Sequence, residues 1–326
     1  MTDTGTNDEP RPAWSRESLV LRLEKVETIE ELSREWAWGD ATGKGVRVAI
    51  VDSGIDATHP ALEGCVDADA GVVITPSKEE GGQPVVVQGN HPDSFGHGTA
   101  CAGIIHSLAP EAEITSVKVL GGMLSGTSDI FVAGLRWAIE QRFDVVNLSL
   151  GSRKRDWALA FHEVCDEAYF KGSFLVTAAN NVSRVTYPSL FASVASVASH
   201  TGTDPWRFHY NPDPPTEFLA RGINVDVPWL NHGTITTTGN SFAAPHISGL
   251  AALIRSKHRE LQPFQLKTVL WATANNVQEA QARGGAVQAP EAAGRFTQAL
   301  RLTGALSTSP RSTMSLRSIQ QQLADT

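Results

Sequence analysis

The middle of the chain alternates between short apolar runs and amphipathic stretches, and this alternation restricts the fold more than any other feature. Short apolar runs fit buried strands, whereas apolar residues that recur every three or four positions indicate helices. We predict strands at 46–54, 112–120, 144–151, 173–180 and 191–199, and helices at 97–108, 128–142, 156–172 and 246–258. Such an alternation predicts an α/β fold of three layers, with a mostly parallel central sheet flanked by helices.

Polar side chains follow three of these predicted strands. Asp52 ends the first strand, Ser149 ends the third, and Asn180 and Asn181 follow the fourth. Functional groups of parallel sheets gather at the carboxyl ends of the strands. We therefore expect these residues to meet in one site.

Charge and cysteine content limit the possible partners and the compartment. The formal net charge of −8 argues against non-specific binding of nucleic acid, and no stretch is long and apolar enough to span a membrane. The polar, acidic start does not resemble a secretory signal. The three cysteines are widely separated and suggest neither a disulfide framework nor a metal site. We expect a cytoplasmic protein.

The composition divides the chain into four parts. Residues 1–15 are polar and rich in Pro, Asp and Thr, which predicts a disordered tail, and 16–40 read as a helical extension. The main α/β domain is assigned to 41–288, and 289–326 form a C-terminal extension. That extension carries four Arg against one Glu and one Asp. It is interpreted as a solvated tail or as a docking peptide for a partner.

The segment "GNSFAAPHISGL", residues 239–250, raises the question of what Ser241 does. One interpretation makes Ser241 the cap of the helix that follows it. The other makes it a nucleophile, because the small residues around it let other groups approach the hydroxyl. A nucleophilic serine needs a base and oxyanion donors elsewhere in the chain.

Asp52 and His97 are the candidate partners of that serine. Asp52 lies in "VAIVDSGIDATHP", and His97 lies in "DSFGHGTACAGII" between two glycines that are expected to clear space around its ring. The order Asp, His, Ser along the chain is that of subtilisin, and no G-x-S-x-G motif of the α/β-hydrolases is present. Three such motifs on an α/β pattern predict a serine hydrolase.

From about Val46 to about Ala274 the chain resembles the subtilisin-like serine proteases, or subtilases. The resemblance rests on the Asp-Ser-Gly, His-Gly-Thr and Ser-x-Ala-x-Pro-His blocks. It implies Asp52 as the orienting carboxylate, His97 as general base and then acid, and Ser241 as the acylated nucleophile. It also implies the Asn181 side chain and the Ser241 N–H as oxyanion donors.

The resemblance further implies that an extended peptide binds between two segments of the protein. One segment consists of Leu124, Ser125 and Gly126, and the other of Ser149, Leu150 and Gly151. No cofactor and no metal are expected, since the calcium loop of many secreted subtilases is missing between the helix at 97–108 and the next strand.

Three residues depart from the usual pattern of secreted subtilisins. Asn180 replaces a Gly and is expected to keep its turn by tolerating a left-handed backbone. Asn240 stands before the nucleophile where Thr is usual, so that it either donates to the oxyanion or weakens the hole. Cys101, which is found in the proteinase K type of subtilase, is expected one turn beneath the imidazole, where a mercurial would displace His97.

The leading hypothesis is a serine endopeptidase that hydrolyses peptide bonds through an acyl-enzyme and processes a protein or precursor peptide inside the cell. Transpeptidation, giving ligation or macrocyclisation, is an alternative that uses the same acyl-enzyme. A scaffold that has lost its chemistry is the third. The preferred residue before the scissile bond cannot be transferred from the resemblance.

Overall fold

A computed structural model describes residues 32–182 and 184–284 of the chain. The predicted tail at 1–15, most of the extension at 16–40, and the C-terminal extension at 289–326, including its docking role, lie outside these residues. The described residues form seven α-helices and eleven β-strands.

Nine strands form one sheet in the order β3-β2-β4-β1-β5-β6-β7-β9-β8. All neighbours in it are parallel except the two edge pairs, β2 with β3 and β8 with β9. The remaining two strands, β10 and β11, form an antiparallel hairpin. The strands are β1 (Arg47–Asp52), β2 (Val72–Thr75), β3 (Val85–Gln88), β4 (Glu113–Lys118), β5 (Val145–Leu148), β6 (Phe174–Ala178), β7 (Ala195–His200), β8 (His209–Tyr210), β9 (Phe218–Arg221), β10 (Val225–Trp229) and β11 (Gly233–Thr237).

Helices cover both faces of this sheet. The helices are α1 (Arg34–Ala37), α2 (His97–Leu108), α3 (Ser128–Glu140), α4 (Ala158–Lys171), α5 (Asn240–Lys257), α6 (Pro263–Thr273) and α7 (Asn275–Ala282). On one face α2 packs against α5, and both contact the central strands. On the other face α3 and α4 share an apolar core with alternate residues of β1 and β5, among them Ala49, Val51, Val146 and Leu148. The predicted three-layer α/β fold is confirmed.

Six strands were not predicted from the sequence, and they lie on either side of the five central strands or in the separate hairpin. β2, β3 and β9 each have four residues with only short apolar runs, and β8 has two residues. In the hairpin, β10 alternates buried with exposed or half-exposed residues, and β11 alternates half-exposed with exposed residues, which gives only a weak pattern. The five central strands are mostly buried, and continuous apolar runs predict such strands well.

The N-terminal extension is described only from residue 32 onward. There α1 packs on α5 and α6. The Arg34 guanidinium donates to Thr273 O at 3.1 Å and to Asn275 Oδ1 at 2.6 Å, and Trp36 stacks on His258 with ring centroids 4.0 Å apart. Among the described helices, none combines the length and apolar character needed to cross a membrane.

Candidate active site

Asp52 and His97 form a buried pair at the carboxyl end of β1. His97 Nδ1 lies 2.9 Å from both carboxylate oxygens of Asp52. The backbone N–H of the next residue, Ser53, donates to Asp52 Oδ1 at 2.7 Å and so fixes the carboxylate. The pair therefore holds one imidazole nitrogen in place and leaves Nε2 for another group.

Two glycines bring the start of α2 close to β1. A Cβ at Gly98 would lie 2.1 Å from Gly54 O, and a Cβ at Gly96 would lie 2.6 Å from the Trp229 ring. Gly96 also has a φ of +104°, which favours glycine. Gly98 thus allows the close approach of α2 to the chain after β1, and Gly96 allows the contact with Trp229. That both glycines also clear space around the imidazole stays a prediction.

Asp93 fixes the same helix start and was not predicted from the sequence as part of the site. Its Oδ1 accepts from Phe95 N at 2.9 Å, Gly96 N at 2.8 Å and Ser53 Oγ at 2.8 Å. Its Oδ2 accepts from Thr99 N at 2.9 Å and Thr99 Oγ1 at 2.7 Å. A buried carboxylate with five donors caps the first turn of α2, where backbone N–H groups have no partner within the helix.

The environment of His97 favours its protonated form. Burial lowers the pKa of His97, but the charge of Asp52, the hydrogen bond to it and the charge of Asp93 outweigh burial. The net result is a pKa raised above the ordinary value of 6.5. An imidazole of raised pKa is a stronger base, and its protonated state is stabilised where a catalytic imidazolium would form.

Ser241 is the second residue of α5 and does not cap it, since the capping position belongs to Gly239. Pro245, one turn later, has no N–H to donate to Ser241 O. That carbonyl instead accepts from Ser149 Oγ at 2.8 Å and is 3.6 Å from Cys101 Sγ. The proline therefore frees a carbonyl through which β5 and α2 hold the serine.

Asn181 and Asn240 are joined at the end of β6. The Asn240 N–H donates to Asn181 Oδ1 at 2.8 Å, which leaves the Asn181 amide hydrogens free for another acceptor. The Asn240 side chain donates to Ala179 O at 3.2 Å and Asn180 O at 3.0 Å, and accepts from Ser199 N at 2.9 Å. Both amide hydrogens of Asn240 are thus already used, so it is not an oxyanion donor in this arrangement.

The turn at Asn180 differs from the expectation. Asn180 is absent from the residues of positive φ, so the prediction of a left-handed backbone there is wrong. Its Oδ1 accepts from Val182 N at 3.1 Å instead. The side chain thereby closes the turn locally, as short amides commonly do.

One cavity of about 300 Å³ collects the predicted residues. His97, Asn181 and Ser241 line it, together with Ser149, Leu150, Gly151 and Leu124. Within the described residues, His97 Nε2 and Ser241 Oγ form no hydrogen bond, and the Ser241 N–H has no acceptor. In ligand-free enzymes such a contact is often long and tightens when substrate binds.

Residues of both predicted substrate segments line a larger adjoining cavity of about 630 Å³. These residues are Leu124, Ser125 and Gly126 of one segment and Leu150 and Gly151 of the other. Ser149 lines the smaller cavity, but its hydroxyl donates to Ser241 O and accepts from Asn147 Nδ2 at 3.0 Å. The side chain of Ser149 therefore holds the backbone of Ser241.

Cys101 lies next to the Asp52–His97 pair, with its Sγ within 4.8 Å of a His97 ring nitrogen. Its Sγ is 3.4 Å from Ser149 Oγ and 3.9 Å from Asp52 Oδ2. Burial raises the pKa of this thiol well above its ordinary value, and the charge of Asp52 adds to the effect. Among the described residues, Asp52, His97 and Cys101 form the single close group of three possible metal ligands, and two of them are already engaged with each other.

Comparisons with known proteins agree with this geometry. A family model described as the subtilase family matches residues 43–288. Subtilisin DY from Bacillus licheniformis is 30% identical over 250 residues, which cover 72% of this chain and 85% of that protein. Subtilisin E from Bacillus subtilis (strain 168) is 32% identical over 250 residues, which cover 72% of this chain but only 61% of that protein.

Similarity in structure extends over the same region. The crystal structure of a cold-adapted subtilisin-like serine proteinase matches 77% of this chain and 89% of its own, with a TM-score of 0.58. Because the two sequences are only 23% identical, this match shows similarity of the fold alone. The family model covers most of the chain, and the chain therefore belongs to the subtilase family of subtilisin-like serine endopeptidases.

Proposed function

We propose that the chain hydrolyses peptide bonds with Ser241 as nucleophile, His97 as base and acid, and Asp52 as the orienting carboxylate. The observation that carries this is the buried Asp52–His97 pair opening into the cavity that Ser241 also lines. Ser241 Oγ attacks the scissile carbonyl carbon while its proton passes to His97 Nε2. The imidazolium then protonates the leaving amine, and water releases the acyl group by the reverse sequence.

The oxyanion would be bound by the Asn181 amide and the Ser241 N–H. One contact and one position in a helix support this assignment. Asn240 holds Asn181 Oδ1 so that the amide hydrogens remain free, and the Ser241 N–H lies in the first turn of α5, where it adds to the favourable end of the helix dipole. Such donors stabilise charge that develops only in the transition state.

We propose processing of a protein or precursor peptide in the cytoplasm as the biological role. The thiols support this compartment, since Cys65, Cys101 and Cys165 are all unpaired, and free thiols persist in reducing surroundings. The role predicts cleavage at few sites. Exposure of a tryptic peptide mixture to the enzyme, followed by mass spectrometry of new termini, should yield a short set of sequences, whereas general cleavage would contradict processing.

A fluorophosphonate probe tests the catalytic assignment directly. The probe should label Ser241, and replacement of Ser241 or His97 by Ala should abolish the label. Ser256→Ala is the matched control, because Ser256 lies on the same helix with its hydroxyl bonded to Leu253 O at 2.8 Å. Label that survives Ser241→Ala, or that is lost in Ser256→Ala, would contradict the assignment.

The products separate hydrolysis from the alternatives. Fragment masses from a cleaved peptide should together exceed the substrate by one water. A ligated or cyclic product lacking that water would identify the transpeptidase instead. A Ser241→Ala protein that keeps its full cellular function would identify the scaffold.

A further inference from the structure

The larger cavity beside the nucleophile has a basic rim. Arg153, Lys154 and Arg184 line it together with the two substrate segments, and Arg153 also lines the smaller cavity that contains His97 and Ser241. The two cavities are continuous in their lining, since they share Leu120, Leu124, Leu150, Gly151 and Arg153. A peptide that reaches Ser241 along this cleft therefore passes all three cations.

These cations have no partner of opposite charge within the described residues. None of the ion pairs there involves Arg153, Lys154 or Arg184. No Asp or Glu of the described part lines either cavity. Asp129 follows the lining residue Ser128 in the sequence, and Asp156 lies two residues after the lining residue Lys154. Neither carboxylate lines either cavity.

The rest of the protein has the opposite charge. The whole chain carries a formal net charge of −8, so a cleft with three unpaired cations is a local exception on an acidic molecule. An acidic peptide is repelled by most of the surface and attracted by the cleft. A basic peptide is attracted by most of the surface and repelled by the cleft. Such a charge distribution changes the rate at which a peptide reaches the cleft productively.

From this charge distribution we propose that the cleft selects peptides with carboxylate side chains close to the scissile bond, an inference that rests on the proposed peptidase function. Arg153, Lys154 and Arg184 are the specificity-determining residues. Side chains of an extended peptide alternate in direction, so an acidic preference is expected at some positions and not at their neighbours. Arginine binds carboxylates with two parallel hydrogen bonds, which favours Glu and Asp over neutral acceptors.

Matched internally quenched peptides test the proposal. Glu and Gln have nearly the same shape, so each of the four positions on either side of the cleaved bond is compared as a Glu/Gln pair in an otherwise constant peptide. Because exposed ion pairs are individually weak, Glu should raise kcat/KM by about 1.5- to 5-fold at the preferred position. The preference should shrink between about 20 mM and about 500 mM NaCl as the charges are screened.

Two variants provide the controls. The triple variant Arg153→Gln, Lys154→Gln, Arg184→Gln should lose the preference, so that the ratio of kcat/KM between the Glu and Gln peptides falls to about one. Lys78→Gln removes an exposed cation that lines neither cavity and should keep the preference. Cleavage of both peptides with equal kcat/KM at every position would overturn the inference and leave the peptidase function intact.

Failure of the peptidase function gives a different result. In that case neither peptide is cleaved and Ser241 is not labelled by the fluorophosphonate. The selectivity is then measured by fluorescence anisotropy with the same labelled peptides and the Ser241→Ala protein. Tighter binding of the Glu peptide that disappears in the triple variant supports the basic cleft, and equal binding of the two peptides overturns it.

Discussion

Replacement of Asn240 by Ala should weaken catalysis without weakening substrate binding. The Asn240 side chain joins Ala179 O, Asn180 O and Ser199 N, so it connects the turn after β6 to β7. Its backbone N–H holds Asn181 Oδ1 at 2.8 Å. Loss of the side chain therefore frees the turn that carries the proposed oxyanion donor, whereas Asn240 is not among the residues lining either cavity.

The magnitude follows from these contacts. Three hydrogen bonds at roughly 1 kcal/mol each, reduced because Asn240 is only half-buried, give a loss of about 1–3 kcal/mol in the free energy of unfolding. Complete loss of an oxyanion donor costs about 100- to 1,000-fold in kcat. A donor that is loosened and not removed should cost less, so we expect kcat to fall by about 10- to 100-fold, with KM nearly unchanged.

Steady-state kinetics on one cleaved peptide and a double-mutant cycle with Asn181→Ala test this reasoning. If Asn240 acts through Asn181, the double variant should be no slower than Asn181→Ala alone. Asn211→Ala is the matched control, since its amide also makes two donor contacts and one acceptor contact, and Asn211 lines neither cavity. It should lower stability and leave kcat unchanged. Fully additive losses in the cycle, or a raised KM with normal kcat, would refute the role assigned to Asn240.

Three further predictions concern the buried pair and its neighbour. Asp52→Asn should lower kcat/KM by about 10,000-fold and lower the pKa of His97 seen by NMR, because burial then acts without the opposing charge; an unchanged titration would contradict it. In the wild-type enzyme, kcat/KM should rise with pH through a pKa above 6.5, since His97 must lose its proton to act as base, and an acid limb below that value would contradict the raised pKa. A mercurial bound at Cys101 should inhibit slowly, because the thiol is buried against Asp52 and Ser149, and Cys101→Ala should be resistant; full activity after saturating labelling of Cys101 would show that the mercurial leaves His97 in place.

The sequence predicted the residues of the site better than their supports. Asp52, His97 and Ser241 carry motifs in which chemistry and spacing coincide, and parallel strand ends explain why Asp52, Ser149 and Asn181 converge. Asp93 was missed because an Asp in a polar loop gives no sign of the five donors that fold around it. The strands β2, β3, β8, β9, β10 and β11 were also missed, because they flank the five central strands or form the separate hairpin, where apolar runs are short or absent.

The hydroxyl of Ser149 shows the same limit within the site. Its position after β5 predicted proximity to the nucleophile, but the partner of its hydroxyl depends on Pro245, which lies far away in the sequence. Pro245 frees Ser241 O because it has no N–H, and the freed carbonyl then accepts from Ser149. A contact of this kind requires two elements to be placed in three dimensions, so neither local sequence predicts it alone.

Asn180 and Asn240, which depart from the usual subtilisin pattern beside the proposed oxyanion donors, contact each other. Asn240 Nδ2 donates to Asn180 O at 3.0 Å, and Asn180 closes its own turn through Val182 N. Considered separately, Asn180 in place of Gly predicts a strained turn, and Asn240 in place of Thr predicts a disturbed oxyanion hole. Considered together, Asn240 supplies hydrogen bonds to the turn that Asn180 reshapes, and its backbone holds Asn181 in place. We therefore expect Asn180→Gly to depend on Asn240: in the wild-type background it should change kcat little, because Asn240 still holds the carbonyls of residues 179 and 180, but in an Asn240→Ala background the more flexible glycine should deepen the loss. Equal effects of Asn180→Gly in both backgrounds would show that the two substitutions act separately.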